Sequence, residues 1–207
     1  MLAAIALLAS GTAAADFGVG IKAGTLGIGL EARWDPPIPW FDLRVGMNKY
    51  DFEDDGGYSG INYDATLALD SAYLTGNFKF PLSPFRFTVG AFSNGNEMQM
   101  SSVDPLDGTW GSAAGLTSVT SFSSTAPYAG VGFDFEVFGK TGLNLDFGVL
   151  WQGDPNVTLD ITNFDNLSPA EQALLGPRLE QERLEIEDDF SDLKAWPVVS
   201  LGFVYNF

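Results

Sequence analysis

Apolar and polar side chains alternate with a period of two through most of the chain and divide it into strands. Phe17, Val19, Ile21 and Ala23 share one face, with Gly18, Gly20, Lys22 and Gly24 opposite. After a tight turn near Thr25, Ile28, Leu30, Ala32 and Trp34 oppose Gly27, Gly29, Glu31 and Arg33, which completes a hairpin. The cluster Asp35-Pro36-Pro37-Ile38-Pro39 lacks ladder donors and marks a turn. A third strand follows, Phe41, Leu43, Val45 and Met47 alternating with Asp42, Arg44, Gly46 and Asn48. A fourth ends with Ala72, Leu74, Gly76 and Phe78 against Tyr73, Thr75, Asn77 and Lys79, before the turn Pro81-Leu82-Ser83-Pro84. The fifth sets Phe85, Phe87, Val89 and Ala91 against Arg86, Thr88 and Gly90, and a long Gly/Ser/Thr/Asn-rich excursion, 94–125, separates it from the sixth. The sixth and seventh strands run from Pro127 to Val137 and from Leu143 to Gln152 around Phe138-Gly139-Lys140-Thr141-Gly142, and the chain ends on an eighth.

The sorting of residues between the two faces gives the fold class. A soluble barrel is apolar inside and polar outside, whereas here one face holds almost no charge and the other collects the charges and glycines. The apolar face therefore meets lipid. The predicted fold is all-β, an eight-stranded antiparallel transmembrane β-barrel with short turns at one end, long loops at the other, and a helical segment in the last extracellular loop. Trp34, Phe41, Phe78, Phe85, Phe135 and Phe207 fall at the same strand end, as an interfacial girdle does. The last strand, with Val199, Leu201, Phe203, Tyr205 and Phe207 on one face, resembles the C-terminal insertion signal of Gram-negative outer-membrane barrels, carried by Gly202, Tyr205 and Phe207. By itself that segment also fits the final strand of a soluble sandwich; the whole-chain pattern favours the membrane barrel.

Leu2 to Leu8 is a short apolar run followed by Ala13-Ala14-Ala15, which predicts a signal peptide over 1–15, cleaved before Asp16, and one barrel domain over 16–207. No Lys or Arg precedes the run, and no later stretch reaches the ~20 continuous apolar residues of a membrane helix. With no cysteine, stability rests on strand pairing and burial. With no histidine, hydrolytic barrel chemistry loses its usual general base, and no Asp/Glu pair stands out for sugar hydrolysis, so an enzyme is not expected.

The inward face carries Lys22, Arg33, Arg44, Lys79 and Arg86 against Glu31, Asp42, Asp134, Glu136 and Asp146. An eight-stranded bore is just filled by side chains, so these charges are expected to pair. Two readings of that filling stand side by side. One is a structural plug; the other is a narrow path whose ion pairs part for a small solute.

The formal charge of −17 then falls on loops and turns. Asp51, Glu53, Asp54 and Asp55 are expected to cap the third strand, and the last loop carries Glu180, Glu182, Glu185, Glu187, Asp188, Asp189 and Asp192. Such a surface repels nucleic acid and attracts cations. A calcium loop from Asp51 fails at its twelfth position, Asn62, and no metal or other cofactor is expected. Ser168-Pro169-Ala170-Glu171 is a capping box with Pro at the first helical position, and Gly176-Pro177 predicts a stop and a second helix, hence a helical hairpin. Leu179, Ile186, Phe190 and Leu193 form a stripe expected to lay the second segment across the barrel mouth.

Ala126-Pro127-Tyr128-Ala129-Gly130-Val131-Gly132, Trp151-Gln152-Gly153-Asp154-Pro155-Asn156-Val157, the acidic helix and Lys194-Ala195-Trp196-Pro197-Val198 resemble the carbapenem-associated outer-membrane proteins, also called ornithine-uptake porins. The resemblance is strongest over the C-terminal half; the central loop, the terminal Phe207 and the more acidic helix depart from it. It implies a small eight-stranded barrel that assists passage of basic amino acids, and no family solute-binding residue maps onto this chain. The expected function is a narrow or gated porin-like barrel for small, cationic solutes. The alternatives are a surface-interaction or adhesion protein, or a purely structural barrel. The expected partners are outer-membrane lipid, the barrel-assembly machinery and small cationic solutes, with the chain a monomer in the cell outer membrane.

Overall fold

The structure, a computed structural model, describes residues 16–58, 61–102, 115–162 and 164–207; the expected signal peptide, 1–15, lies outside them. Eight antiparallel strands close a barrel: β1 (Asp16–Gly24), β2 (Gly27–Asp35), β3 (Phe41–Tyr58), β4 (Ile61–Lys79), β5 (Phe85–Asn94), β8 (Thr125–Phe138), β9 (Thr141–Trp151) and β11 (Ala195–Asn206). The C-terminal strand performs the closure. Val19 pairs with Tyr205 on one side of β11 and Phe203 with Leu143 on the other, and the Phe207 N–H donates to the Phe17 carbonyl at 2.8 Å.

Period-2 alternation divides β11 as the sequence predicts. Val199, Leu201, Phe203, Tyr205 and Phe207 are exposed on the outside, while Val198, Ser200, Gly202 and Val204 are buried in the bore. The same exposed belt continues around the barrel through Ile21, Leu30, Val45, Leu74, Phe87, Val89 and Phe147. Every strand of the barrel is paired on both sides, so a surface this apolar is one that lipid covers. At the short-turn end the aromatic girdle is in place, with Phe41 against Phe78 at 5.3 Å and Phe85 against Phe133 at 5.6 Å. No helix among the described residues is long and apolar enough to cross a membrane, which leaves crossing by strands untouched.

Beyond the opposite rim the architecture departs from the sequence reading. A spanning strand needs ~9–11 residues, yet β3 and β4 have 18 and 19 and rise past the rim as one ladder. The excursion after β5 holds two further strands, β6 (Glu97–Ser102) and β7 (Leu116–Ser121), and the last loop holds β10 (Asn156–Ile161). β6 pairs with Tyr63–Ala68 of β4, β7 with β6, and β10 with β7, so β3, β4, β6, β7 and β10 form an open sheet above the barrel. Asp51, Glu53, Asp54 and Asp55 are consequently exposed residues within β3; the strand does not end where they were expected to cap it.

The expected helical hairpin is a single helix, α1 (Pro169–Asp189), followed by a short 3-10 turn, Phe190–Lys194. Ser168 caps it as predicted: the Glu171 N–H donates to the Ser168 hydroxyl at 3.3 Å and the Ser168 N–H to the Glu171 carboxylate at 3.0 Å. Pro177 does not end the helix, because packing holds it on both sides. Leu175 and Ile186, the buried residues of α1, are eleven positions apart and hence on one face after about three turns. Of the stripe expected at Leu179, Ile186, Phe190 and Leu193, Ile186 is buried and Leu179 packs at the margin of the contact, while Leu175 joins them and Phe190 and Leu193 are half-buried in the turn that follows. Leu175 clusters with Leu116 of β7, Ile161 of β10 and Leu167, with Leu179 at its margin, so α1 leans on the open sheet.

Candidate functional site

The bore is filled in two tiers. The lower one, toward the short turns, is built from inward-facing charged residues on β1–β5, β8 and β9. Arg44 is completely enclosed and donates to Asp42 at 3.0 Å through Nε, to Asp134 at 2.8 Å and to Glu31 at 3.5 Å. Arg86 uses Nε on Asp134 at 3.1 Å, Nη2 on Asp146 at 2.5 Å, and Nη1 on Asn77 Oδ1 and Thr88 Oγ1 at 2.8 and 2.7 Å. Asp134 is thus shared by two guanidiniums from different strands. Lys79 reaches Asp42 at 3.0 Å and also pairs with Asp35, which accepts from Arg33 Nε at 2.6 Å. Lys22 pairs with Glu31 at 3.8 Å and donates to the Tyr73 hydroxyl at 3.2 Å, while Tyr73 donates to Glu31 at 2.8 Å.

These contacts join five cations and five carboxylates in one network. Burial raises the cost of each charge, and the geometry offsets it by giving every guanidinium and carboxylate an opposite partner. Nine of the ten sequence-assigned lumen residues belong to the network: Lys22, Glu31, Arg33, Asp42, Arg44, Lys79, Arg86, Asp134 and Asp146. Glu136 does not. It shares the inward face but lies exposed at the short-turn mouth, beside the irregularity between Glu136 and Phe138, and joins none of the ion pairs among the described residues. Asp35 takes its place, since β2 continues one residue into the stretch expected as a turn. Asn77, Thr88 and Tyr73 complete the site; their inward position was readable, but their role as neutral partners for buried charges was not.

Glycines make room for the large groups. A Cβ on Gly132 would stand 2.5 Å from Arg86 Cζ, and one on Gly148 would strike the Tyr128 hydroxyl. Gly202 of the terminal signature faces inward, where a Cβ would collide with Asn144.

The upper tier is apolar. Tyr73 stacks on Phe92 and Tyr128 meets Phe92 at a tilt, with ring centroids 4.9 and 5.4 Å apart, and the three pack with Leu26, Ala126, Leu150 and Val198. Between the tiers lies a cavity of about 20 Å³, lined by Lys22, Glu31, Tyr73, Tyr128 and Asp146 among others, room for about one water. Past Arg44, Arg86, Asp134 and Asp146 the bore is therefore occupied by side chains in contact.

The acidic candidates lie elsewhere. Asp51, Glu53, Asp54 and Asp55 are exposed on β3. Glu185, Glu187, Asp188 and Asp189 are on α1, where Glu185 accepts from Gln181 at 2.9 Å and Glu187 pairs with Arg183. The Arg183–Glu180 hydrogen bond holds the Glu180 carboxyl below the usual carboxylate range and raises the guanidinium, and Asp154 raises Lys194 in the same way. No cluster of residues able to hold a metal occurs among the described residues.

No protein-family model matches the chain, and no curated protein matches it. Among solved structures, the crystal structure of Acinetobacter baumannii CarO2 is 23% identical, with a TM-score of 0.62 and coverage of 95% of this chain and 100% of that one. That of Acinetobacter baumannii CarO is 22% identical, with a TM-score of 0.58 and coverage of 92% and 97%. The similarity is one of fold: a closed eight-stranded barrel of the outer-membrane type. With its lipid-facing belt, that fold is an outer-membrane protein's, and its short turns and long loops mark the periplasmic and extracellular ends.

Proposed function

We propose that this outer-membrane barrel is a narrow, gated pathway for small cationic solutes, basic amino acids among them, and that it has no enzymatic activity. The single observation that carries the reading is the content of the bore. Five cations and five carboxylates fill it where apolar side chains of similar volume would seal it at least as stably. Ion pairs, unlike apolar packing, can exchange partners. An ammonium entering the bore can take a carboxylate from Arg44 or Arg86, so that pairs part and re-form along the wall, with the charge order selecting the solute. All of the formal −17 lies outside this balanced network, and an acidic exterior concentrates cations at the mouth. The described structure is the closed state of such a path, since its cavity admits about one water.

Gly202, Tyr205 and Phe207 serve as the address read by the barrel-assembly machinery, and the chain works as a monomer whose principal partner is lipid. A second reading, a surface-interaction protein, draws on the open extracellular sheet and α1. Solute-loaded liposomes and planar bilayers separate the two. Passage predicts small, intermittent conductance and uptake of lysine or ornithine above that of glutamate. Absence of both, for the whole chain and for a variant lacking 169–189, would sink the passage reading and leave the surface role.

A further inference from the structure

The extracellular sheet hides polar groups that its fold does not use. Asn96 Nδ2, Ser118 Oγ and Thr120 Oγ1 are buried without a hydrogen-bond partner among the described residues. Asn96, Ser118 and Thr120 are 5%, 3% and 1% exposed, so solvent at the surface does not serve them. Their placement is not scattered. Period-2 alternation puts Ser118 and Thr120 on the face of β7 that carries Leu116, against which Leu175 of α1 packs. Met100 and Met98 lie opposite them on β6, and Asn96 is one step further along the same face. From Asn96 the row continues to the rim: its N–H donates to Asn94 Oδ1 at 3.4 Å, and Asn94 Nδ2 donates to Gln152 Oε1 at 3.4 Å. Gln152, fully buried, donates in turn to the Leu193 carbonyl behind α1 at 2.9 Å.

Buried hydroxyl and amide groups without partners are costly, and the neighbouring positions Leu116, Leu159 and Ile161 show that apolar residues fit this face. We propose that the row Ser118–Thr120–Asn96 is an admission site, in which a small cationic or neutral hydrogen-bonding solute lies between α1 and the sheet before reaching the bore. This deepens the proposed function and rests on it. The row itself carries no charge, so it supplies hydrogen bonds to any small polar group. The sign preference comes from α1, whose Glu180, Glu182, Glu187 and Asp188 turn anions away. α1 meets the sheet through Leu175, with Leu179 at its margin, and through Glu187, which accepts from the Val157 N–H of β10 at 3.5 Å; none of these belongs to a barrel ladder, so the helix lifts without disturbing the barrel.

The chain has no cysteine, so Ser118→Cys and Thr120→Cys each introduce a single thiol, and Thr158→Cys, exposed on β10, serves as an accessible control. Cationic, neutral and anionic methanethiosulfonates are applied to the folded barrel in liposomes, with folding checked by heat-modifiable migration. Both thiols are expected to react, about tenfold faster with the cationic than with the anionic reagent. Free lysine should slow the reaction, and Leu175→Ala in the same background should speed it severalfold. The proposal is overturned if neither thiol reacts while the control does, if lysine gives no protection, or if the rates ignore reagent charge; where Ser118→Cys folds poorly, Thr120→Cys decides. Reactive, lysine-protected thiols in a barrel without flux overturn the passage reading and leave the site. Unreactive thiols in a barrel with flux overturn the site alone.

Discussion

The bore and the extracellular sheet bury polar groups in opposite ways. In the bore, five cations and five carboxylates are tied into one network in which each has an opposite partner; above the rim the buried groups are uncharged and several have none. The bore is surrounded by eight strands in continuous ladders, so a rearrangement there must break strong interactions one for another. The open sheet is covered by one helix with two buried anchors, Leu175 and Ile186. Burying each of these contributes about 1.5–3 kcal/mol, and each unsatisfied polar group costs about 1–3 kcal/mol. The two sums are of similar size. The barrel is thus the more tightly tied region, and the helix the more loosely held one.

The largest effect should come from breaking the bore. Arg86→Met leaves Asp146 without its guanidinium and Asp134 with Arg44 alone, and is expected to destabilise the barrel by about 3–5 kcal/mol, read as a fall in the denaturant midpoint of heat-modifiable migration. Adding Asp146→Leu should recover a large part of that loss; no recovery would mean that the pair is not the unit of stability. Gly132→Ala comes next, because its methyl group meets the Arg86 guanidinium, and a cost of about 1–3 kcal/mol is expected in the same assay. Ser168→Ala tests the other region. It removes the cap of α1 and should cost about 1 kcal/mol locally. Hydrogen exchange in 169–189 should accelerate while the barrel strands keep their protection; equal acceleration in both would dissolve the contrast drawn here.

The smallest effect is acid loosening of α1. The Glu180 carboxyl is held below its usual range by Arg183, so its contribution is complete above the unfolded value of about 4.3 and is lost as pH falls through the lower folded value. Helix signal should stay level from neutral pH down to about 4.5 and decline below it. Arg183→Gln should abolish that low-pH step.

The barrel was legible because lipid outside and charge inside leave an unbroken period-2 record, from Phe17 to Phe207. Nine lumen charges followed from parity alone. Parity fails at strand ends, where height decides burial: it admitted Glu136, which sits at the open mouth, and the proline cluster concealed Asp35. The extracellular sheet was not legible, since β6, β7 and β10 are six residues each, mix Ser and Thr with apolar residues, and take their register from the upper half of β4. Gly176-Pro177 read as a stop because local rules carry no knowledge of the Leu175 and Ile186 contacts that bridge it.

The outward face of β3 and β4 also works as a depth gauge. From Phe41 to Met47 on one strand, and from Phe78 to Ala72 on the other, that face is uncharged; the next outward pair is Lys49 with Asp70, at 3.8 Å. Six strand steps measure about 20 Å, and barrel tilt shortens the vertical span further, below the ~25 Å apolar band of typical outer-membrane barrels. On the opposite wall, β9 extends its apolar face from Leu143 to Trp151, two residues more. Counted between Phe41 and the Lys49–Asp70 pair, the outward apolar face of β3 and β4 is thus two residues shorter than that of β9, on the flank where the wall stands tallest.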